Sequence, residues 1–264
     1  MKITVFTSNQ PRHLSLINRL AEVSETTYAI LECKTVFPGY VQDFFKKSET
    51  FKEYFSNVIS AEEKYFGSST FTAKNVRSLA IKLGDLNLLK PKQIAPALES
   101  DIYVVFGSSF IKGWLTDFLT QNHAVNIHMG LSPYYRGSSC NFWALFDGKP
   151  EYVGATIHFL SKGLDSGPII FHAVPKLDDE NPFEFTMRSV VVAQETLTEK
   201  IINSELFNSA PIPQSKDLEI RYSKNIEFTD EIAAEFLSRK MDNTKLKSLL
   251  NIAKRPELLN PVFR

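Results

Sequence analysis

The sequence predicts an α/β fold, a Rossmann-like doubly wound sheet of mostly parallel strands, with a small C-terminal appendage. Three observations predict it. The chain opens strand, turn, helix: "KITVFT" is a β-branched and aromatic run that stops at Ser8-Asn9-Gln10-Pro11, and Leu14, Leu16, Ile17, Leu20 and Ala21 follow at helical spacing. "DIYVVFG", residues 101–107, is a continuous apolar run of the kind buried on both faces of a parallel sheet. Strand-like and helical segments alternate between and after these two.

Taken in order, the first strand is followed by a helix from Arg12 to Val23, and "TYAILEC" is the second strand. Tyr40–Phe66 carries Phe44, Phe45, Phe51, Tyr54 and Phe55. The last three stand at i, i+3 and i+4, which predicts one or two helices beside the sheet. Ala80–Leu98 is predicted as more helix, punctuated by Gly84, Pro91 and Pro96. After the central strand, "IKGWLTDFL" reads as helix, "AVNIH" as strand and Cys140–Phe146 as helix. "VGATIHFL" and "PIIFHAV" read as an antiparallel pair across a turn at Ser161–Pro168. Pro182–Phe207 is a long helix, and Pro211 and Pro213 mark a linker. Residues 1–208 form the main domain on this reading, and residues 209–264 a small C-terminal region without a motif.

At 264 residues and 43% hydrophobic, the chain has enough apolar material for a sizeable core. Its formal net charge is zero, and no overall basic excess is present to draw it to nucleic acid or an anionic membrane. Cys33 and Cys140 make no CxxC or zinc pattern and read as free thiols in a reducing compartment. The N-terminus lacks a signal-peptide pattern, and no apolar run approaches the roughly 20 residues that span a bilayer. A soluble, cytoplasmic protein with neither nucleic-acid nor membrane partners is the expectation.

"VNIHMGLSPYYRG", residues 125–137, raises a chemical question. On a strand, residues i and i+2 share a face, so Asn126 and His128 project together, at the strand's C-terminal end, where open α/β sheets place ligands. An imidazole moves a proton and an amide N–H stabilises an oxyanion, which are the needs of acyl transfer to an amine. Alone, the pair also fits a satisfied polar couple at a strand end. Farther on, Asp165 sits in a turn bounded by Gly163 and Gly167. A carboxylate beside His128 would orient the ring, but nothing in the sequence brings the two together.

"VNIHMGLSPYYRG" followed by "GATIHFLSKGLDSGPII" resembles the folate-dependent formyltransferases. The shared pattern is Asn-x-His, a Ser-x-x-Pro-type turn, then Asp in a Leu-Asp-x-Gly loop: here Asn126, His128, Leu131-Ser132-Pro133 and Leu164-Asp165-Ser166-Gly167. Ser132 and Pro133 are adjacent, a small departure that leaves the Asn, His, Asp order intact. The likeness is carried by residues 101–172, is weaker before them and is absent after about residue 210. It implies a sheet of the formyltransferase type and N10-formyltetrahydrofolate as co-substrate, with no metal. It implies that His128 handles the proton, Asn126 steadies the oxyanion and Asp165 orients His128 or relays protons. The folate is expected between two loops, Phe106, Gly107, Ser108, Phe110 and Ile111 on one side and Leu160, Gly163 and Leu164 on the other.

The family's acceptors differ. Glycinamide ribonucleotide is met by a glycine-rich loop after the first strand; "TSNQPRH" has no glycine. Methionyl-tRNA is met by a larger basic C-terminal domain; the tail here is short and nearly balanced in charge. "SPYYRGSSCNFWALFDG" particularly resembles the sugar N-formyltransferases of surface-polysaccharide (O-antigen, lipopolysaccharide) pathways. That implies a nucleotide-linked amino sugar, dTDP or GDP, contacted by Tyr134, Tyr135 and Arg136, with Asn9, Arg12, His13 and His158 as further substrate contacts. Phe142 and Trp143 read first as core. A homodimer through the C-terminal region is a family-level expectation. Two rivals are an inactive folate or nucleotide-sugar binder and a nicotinamide dehydrogenase; the absence of GxGxxG after the first strand speaks against the second.

Overall fold

The first strand, β1 (Lys2–Ser8), is buried from Ile3 to Ser8. Pro11 starts helix α1 (Pro11–Glu22), where a missing N–H costs nothing, and Leu16, Ile17 and Leu20 turn inward. Strand β2 (Thr26–Cys33) follows, then α2 (Glu49–Phe66), whose first turn is capped by Ser48. The computed structural model describes residues 1–34, 47–68 and 70–264; Phe44 and Phe45 lie outside them.

Next comes β3 (Val76–Lys82), paired in parallel with β2 along its whole length. This corrects the helix expected over Ala80–Leu98. Leu, Ala, Ile and Lys are sound helix formers, but β2 presents an open edge and the pairing decides. As the outermost strand, β3 leaves most of its side chains exposed, which hides its strand pattern. Three short 3-10 turns follow over residues 85–98, one opening at Pro91 and one carrying Pro96 as its second residue.

The buried β4 (Ile102–Val105) leads to α3 (Trp114–Gln121), and β5 (Val125–His128) returns beside it. A short strand β6 (Tyr135–Gly137) and helix α4 (Cys140–Phe146) come next. Strands β7 (Ala155–Phe159) and β8 (Ile169–Val174) form the expected antiparallel pair. Helix α5 (Pro182–Ile202) carries a full capping box from Asn181 and Glu184. It stops five residues short of Phe207, with Ser204 in the left-handed region at φ 57°.

The C-terminal region adds β9 (Arg221–Ser223), α6 (Asp230–Ser238), α7 (Asn243–Ile252) and β10 (Val262–Phe263). It is tied into the body: β9 pairs with β6, and β10 pairs with β8 as an outer strand of the main sheet. The proposed boundary at residue 209 is therefore one of chain order and not a gap in packing.

The main sheet runs β10-β8-β7-β5-β4-β1-β2-β3. Its pairings are parallel except the two made by β7. Strand β7 thus runs against all the others, next to β5, whose end carries the Asn-x-His pair. One sheet face packs on α1 and α5 through Leu16, Leu20, Ala193 and Leu197; the other packs on α3 and the 3-10 turns through Phe6, Leu115 and Leu119.

Leu20 is fully buried in the first of these cores, and Leu88 is 73% exposed. Leu20→Ala should cost ~2–5 kcal/mol, from lost burial and an unfilled cavity, and Leu88→Ala under ~0.5 kcal/mol. Urea denaturation midpoints at constant m-value measure both.

Candidate active site

The antiparallel β5–β7 register supplies what spacing along the chain could not. It sets His158 opposite Asn126 and Thr156 opposite His128. The chain then turns between β7 and β8, and that turn lays Asp165 against both β5 side chains. Thr156 secures the turn after β5: its hydroxyl donates to the Gly130 carbonyl at 2.7 Å and accepts from the Ser132 amide at 2.8 Å.

The donor and acceptor roles follow from the partners. His128 is 6% exposed, and its Nε2 lies 3.1 Å from the Tyr135 carbonyl oxygen. A carbonyl only accepts, so Nε2 carries the hydrogen, and Nδ1, facing Asp165 Oδ2 at 3.3 Å, is left to exchange a proton. His158 is oriented in the same way. Its Nδ1 donates to the Phe159 carbonyl at 2.8 Å, so its Nε2 accepts from Asn126 Nδ2 at 3.0 Å. The Asn126 amide nitrogen also donates to Asp165 Oδ1 at 3.3 Å. Burial pushes the Asp165 carboxyl up, but His128, His158 and Arg136 outweigh it and hold the group below its ordinary range.

Two cavities meet here. The first, about 280 Å³, is lined by Asn126, His128, His158 and Asp165 and by every residue of the two loops expected to hold a folate: Phe106, Gly107, Ser108, Phe110 and Ile111, then Leu160, Gly163 and Leu164. Phe106 and Ile111 are buried in its wall, while Phe110 and Leu164 stand 45% and 40% exposed. The second cavity, about 350 Å³, is walled by Tyr54 and Phe55 of α2, Phe142 and Leu145 of α4, Phe183 and Met187 of α5, and Phe228 and Phe236 of the C-terminal region. His128, Met129 and Gly137 border both.

Several expected contacts take other work. Tyr134 donates to the Glu257 carbonyl at 2.7 Å and Tyr135 to Asp147 at 3.0 Å, and both rings pack on Tyr152. Arg136 is 9% exposed and holds Glu219 and the Leu164 carbonyl, each at 3.0 Å. All three are engaged within the protein, where β6 pairs with β9. His158 lines the first cavity, and both its ring nitrogens are bonded within the protein, where it holds Asn126.

His13 is buried against Phe106, with ring centroids 5.0 Å apart. Burial, then Arg12 and Lys34, hold its pKa well below the ordinary value, and it acts as a neutral support. A Cβ on Gly107, at φ 68°, would lie 2.5 Å from His13 Nε2, so glycine is required at that position. Asn9 is half-buried at the β1–α1 turn. Arg12 does border the second cavity, but its guanidinium bonds Glu62 at 2.8 Å and Gln10. Glu62 also accepts the Arg12 amide at 3.1 Å. The helix N-terminus where an anion could sit already holds the chain's own carboxylate.

Sequence reasoning missed Glu32. Fully buried at the end of β2, it accepts from the Gly84 amide and the Ser109 hydroxyl, each at 2.8 Å, and from the Ser109 amide at 2.5 Å, which fixes the loop beside the first cavity. Its only signal was a carboxylate closing an otherwise apolar run. The aromatic wall from α2 was legible as helix, not as cavity.

The formyl transferase family model matches residues 91–201, the segment that contains all of Asn126, His128, His158 and Asp165. That segment is a formyl transferase domain. A methionyl-tRNA formyltransferase of Thermodesulfovibrio yellowstonii is 30% identical over 151 residues, covering 56% of this chain and 47% of its own. The chain thus spans about half the length of the curated relatives it matches first. Among solved structures, the formyltransferase PseJ of Anoxybacillus kamchatkensis, in complex with UDP-4,6-dideoxy-4-formamido-L-AltNAc and tetrahydrofolate, aligns with TM-score 0.51 at 16% identity over 93% of this chain and 97% of that one. Glycinamide ribonucleotide transformylase 1 of Symbiobacterium toebii aligns with TM-score 0.52 at 16% identity over 81% and 93%. At such identities these two establish the fold of the formyl transferase domain and its flanks.

Because the folded carboxyl of Asp165 titrates below its unfolded value, its stabilisation is present above the unfolded pKa, ~3.9, and is lost as pH falls through the lower folded value. Urea midpoints between pH 7 and pH 3 should fall more steeply for the wild type than for Asp165→Asn.

Proposed function

We propose that this protein transfers a formyl group from N10-formyltetrahydrofolate to the primary amine of a nucleotide-linked amino sugar. One observation carries the proposal: His128, backed by Asp165 and Asn126, stands in the wall shared by two cavities, so a donor in one and an acceptor in the other meet at its ring. The donor reading draws on the first cavity. Its loops offer backbone groups to a flat heterocycle, and exposed Phe110 and Leu164 give it an apolar rim.

The amine lone pair attacks the formyl carbon, and the carbonyl oxygen becomes an oxyanion. An amine near electron-withdrawing groups titrates at roughly 8 and is partly neutral at cell pH. The proton it sheds passes to His128 Nδ1, whose charge Asp165 offsets. The Asn126 amide serves the oxyanion by giving up its longer, 3.3 Å bond to Asp165. The bond from carbon to N10 then breaks, N10 takes a proton, and the formamide and tetrahydrofolate leave.

The choice of acceptor rests on what the second cavity excludes. Glu62 at the start of α1 disfavours a phosphate there, which argues against glycinamide ribonucleotide. Residues 209–264 are nearly balanced in charge and offer no basic excess to a tRNA backbone. A second reading is favoured by the aromatic and aliphatic lining: an amine borne on an apolar body, such as an aminoacyl group with a hydrocarbon side chain.

Tetrahydrofolate release, followed with a panel of nucleotide-linked amino sugars, glycinamide ribonucleotide and methionyl-tRNA, decides among them. Turnover with an amino sugar alone is expected; tight ligand binding with no release across the panel would make the protein a binder. His128→Ala should lower kcat by ~10²–10⁴, and Asn126→Ala and Asp165→Ala should remove most turnover, all three with an unchanged circular dichroism spectrum. Thr186→Tyr, which narrows the second cavity only, should raise the acceptor KM about tenfold while leaving the tetrahydrofolate Kd within about twofold.

A further inference from the structure

We infer that the segment after the proline linker, acting chiefly through Gln214, is a brace that positions Asp165 for transfer. Asp165 lies in the left-handed region at φ 45°, where an L residue stays only when its surroundings hold it. Two side chains do so. Gln214 Nε2 donates to the Asp165 carbonyl at 2.9 Å and to the Gly167 carbonyl at 2.8 Å. Arg136 donates to the Leu164 carbonyl and is itself held by Glu219, both at 3.0 Å. Three carbonyls on and around the catalytic carboxylate are therefore fixed from outside the loop.

The brace is anchored at both ends. Ile212, between Pro211 and Pro213, exchanges two backbone hydrogen bonds with Ile169 at 2.8 and 2.9 Å. The flanking prolines restrict φ and limit the conformations of that bridge. Beyond Glu219, the amides of Ile220 and Arg221 donate to the Tyr134 carbonyl at 2.8 and 3.0 Å, and Arg221 lies over the Trp143 ring at 3.7 Å while bonding Asp147 at 2.9 Å. Gln214 borders neither cavity that meets at His128, so it acts through Asp165 and is a positioning residue. This part of the chain follows residue 201, where the match to the family model ends.

The inference rests on the formyl-transfer reading for its kinetic arm and on loop order alone for its physical arm. Gln214→Met keeps the length of the side chain and removes the donor; Gln214→Lys restores a donor. In the full-length protein, amide hydrogen exchange over residues 160–167 should speed up at least ~10-fold in Gln214→Met and return toward wild type in Gln214→Lys. The kcat should fall ~10- to 100-fold in the Met variant and recover in the Lys variant, with acceptor KM within about twofold throughout. Unchanged exchange in Gln214→Met overturns the brace. So does equal loss of kcat in the two variants, which is the outcome if the side chain only fills space. A wild type that transfers formyl to no acceptor defeats the functional reading instead, and the exchange result then decides the brace by itself.

Discussion

The buried contact between Asp165 and His128 is the constraint on which the site depends. Removing a carboxylate from water is unfavourable unless cations and donors replace the water. Here His128 faces one carboxylate oxygen and Asn126 the other, with His158 and Arg136 close by. The same contact leaves His128 with one nitrogen on a backbone carbonyl and the other facing the carboxylate. Structure and chemistry are served by one set of bonds, which makes the geometry narrow.

That narrowness explains the division of labour around the sheet. Strand β5 carries Asn126 and His128, and the reversed strand β7 carries His158, which bonds Asn126. The first cavity is built from loops at the ends of neighbouring strands, as open α/β sheets favour. The second comes from helices and from the C-terminal region, elements distant in sequence that meet over His128. One cavity is thus local in sequence and the other assembled from remote parts, so the lining of the second can vary without disturbing the first.

The sheet was legible wherever a strand is buried on both faces, as in "KITVFT", "TYAILEC" and "DIYVVFG", because a continuous apolar run leaves few other solutions. It was illegible at Val76–Lys82, where an edge strand owes its form to its neighbour and not to its composition. Spacing and resemblance had singled out Asn126, His128 and Asp165 and the two loops that line one cavity with them. For Tyr134, Tyr135, Arg136 and His158 the sequence did not show the partners within the protein, because tyrosine, arginine and histidine suit a ligand and a buried network equally well.

The sequence by itself determined the α/β class, the Asn126 and His128 pair on one strand face, and Asp165 in a glycine-bounded turn, since these depend on residue type and short-range spacing. Only the tertiary structure decided that Asp165 reaches His128, that His158 and not solvent takes an Asn126 N–H, that Glu62 fills the anion position at α1, and that a second cavity opens across the His128 ring. Each of these depends on strand register or helix packing between residues far apart in the chain. Such contacts are set by the free energy of the whole fold, which no local stretch of sequence contains.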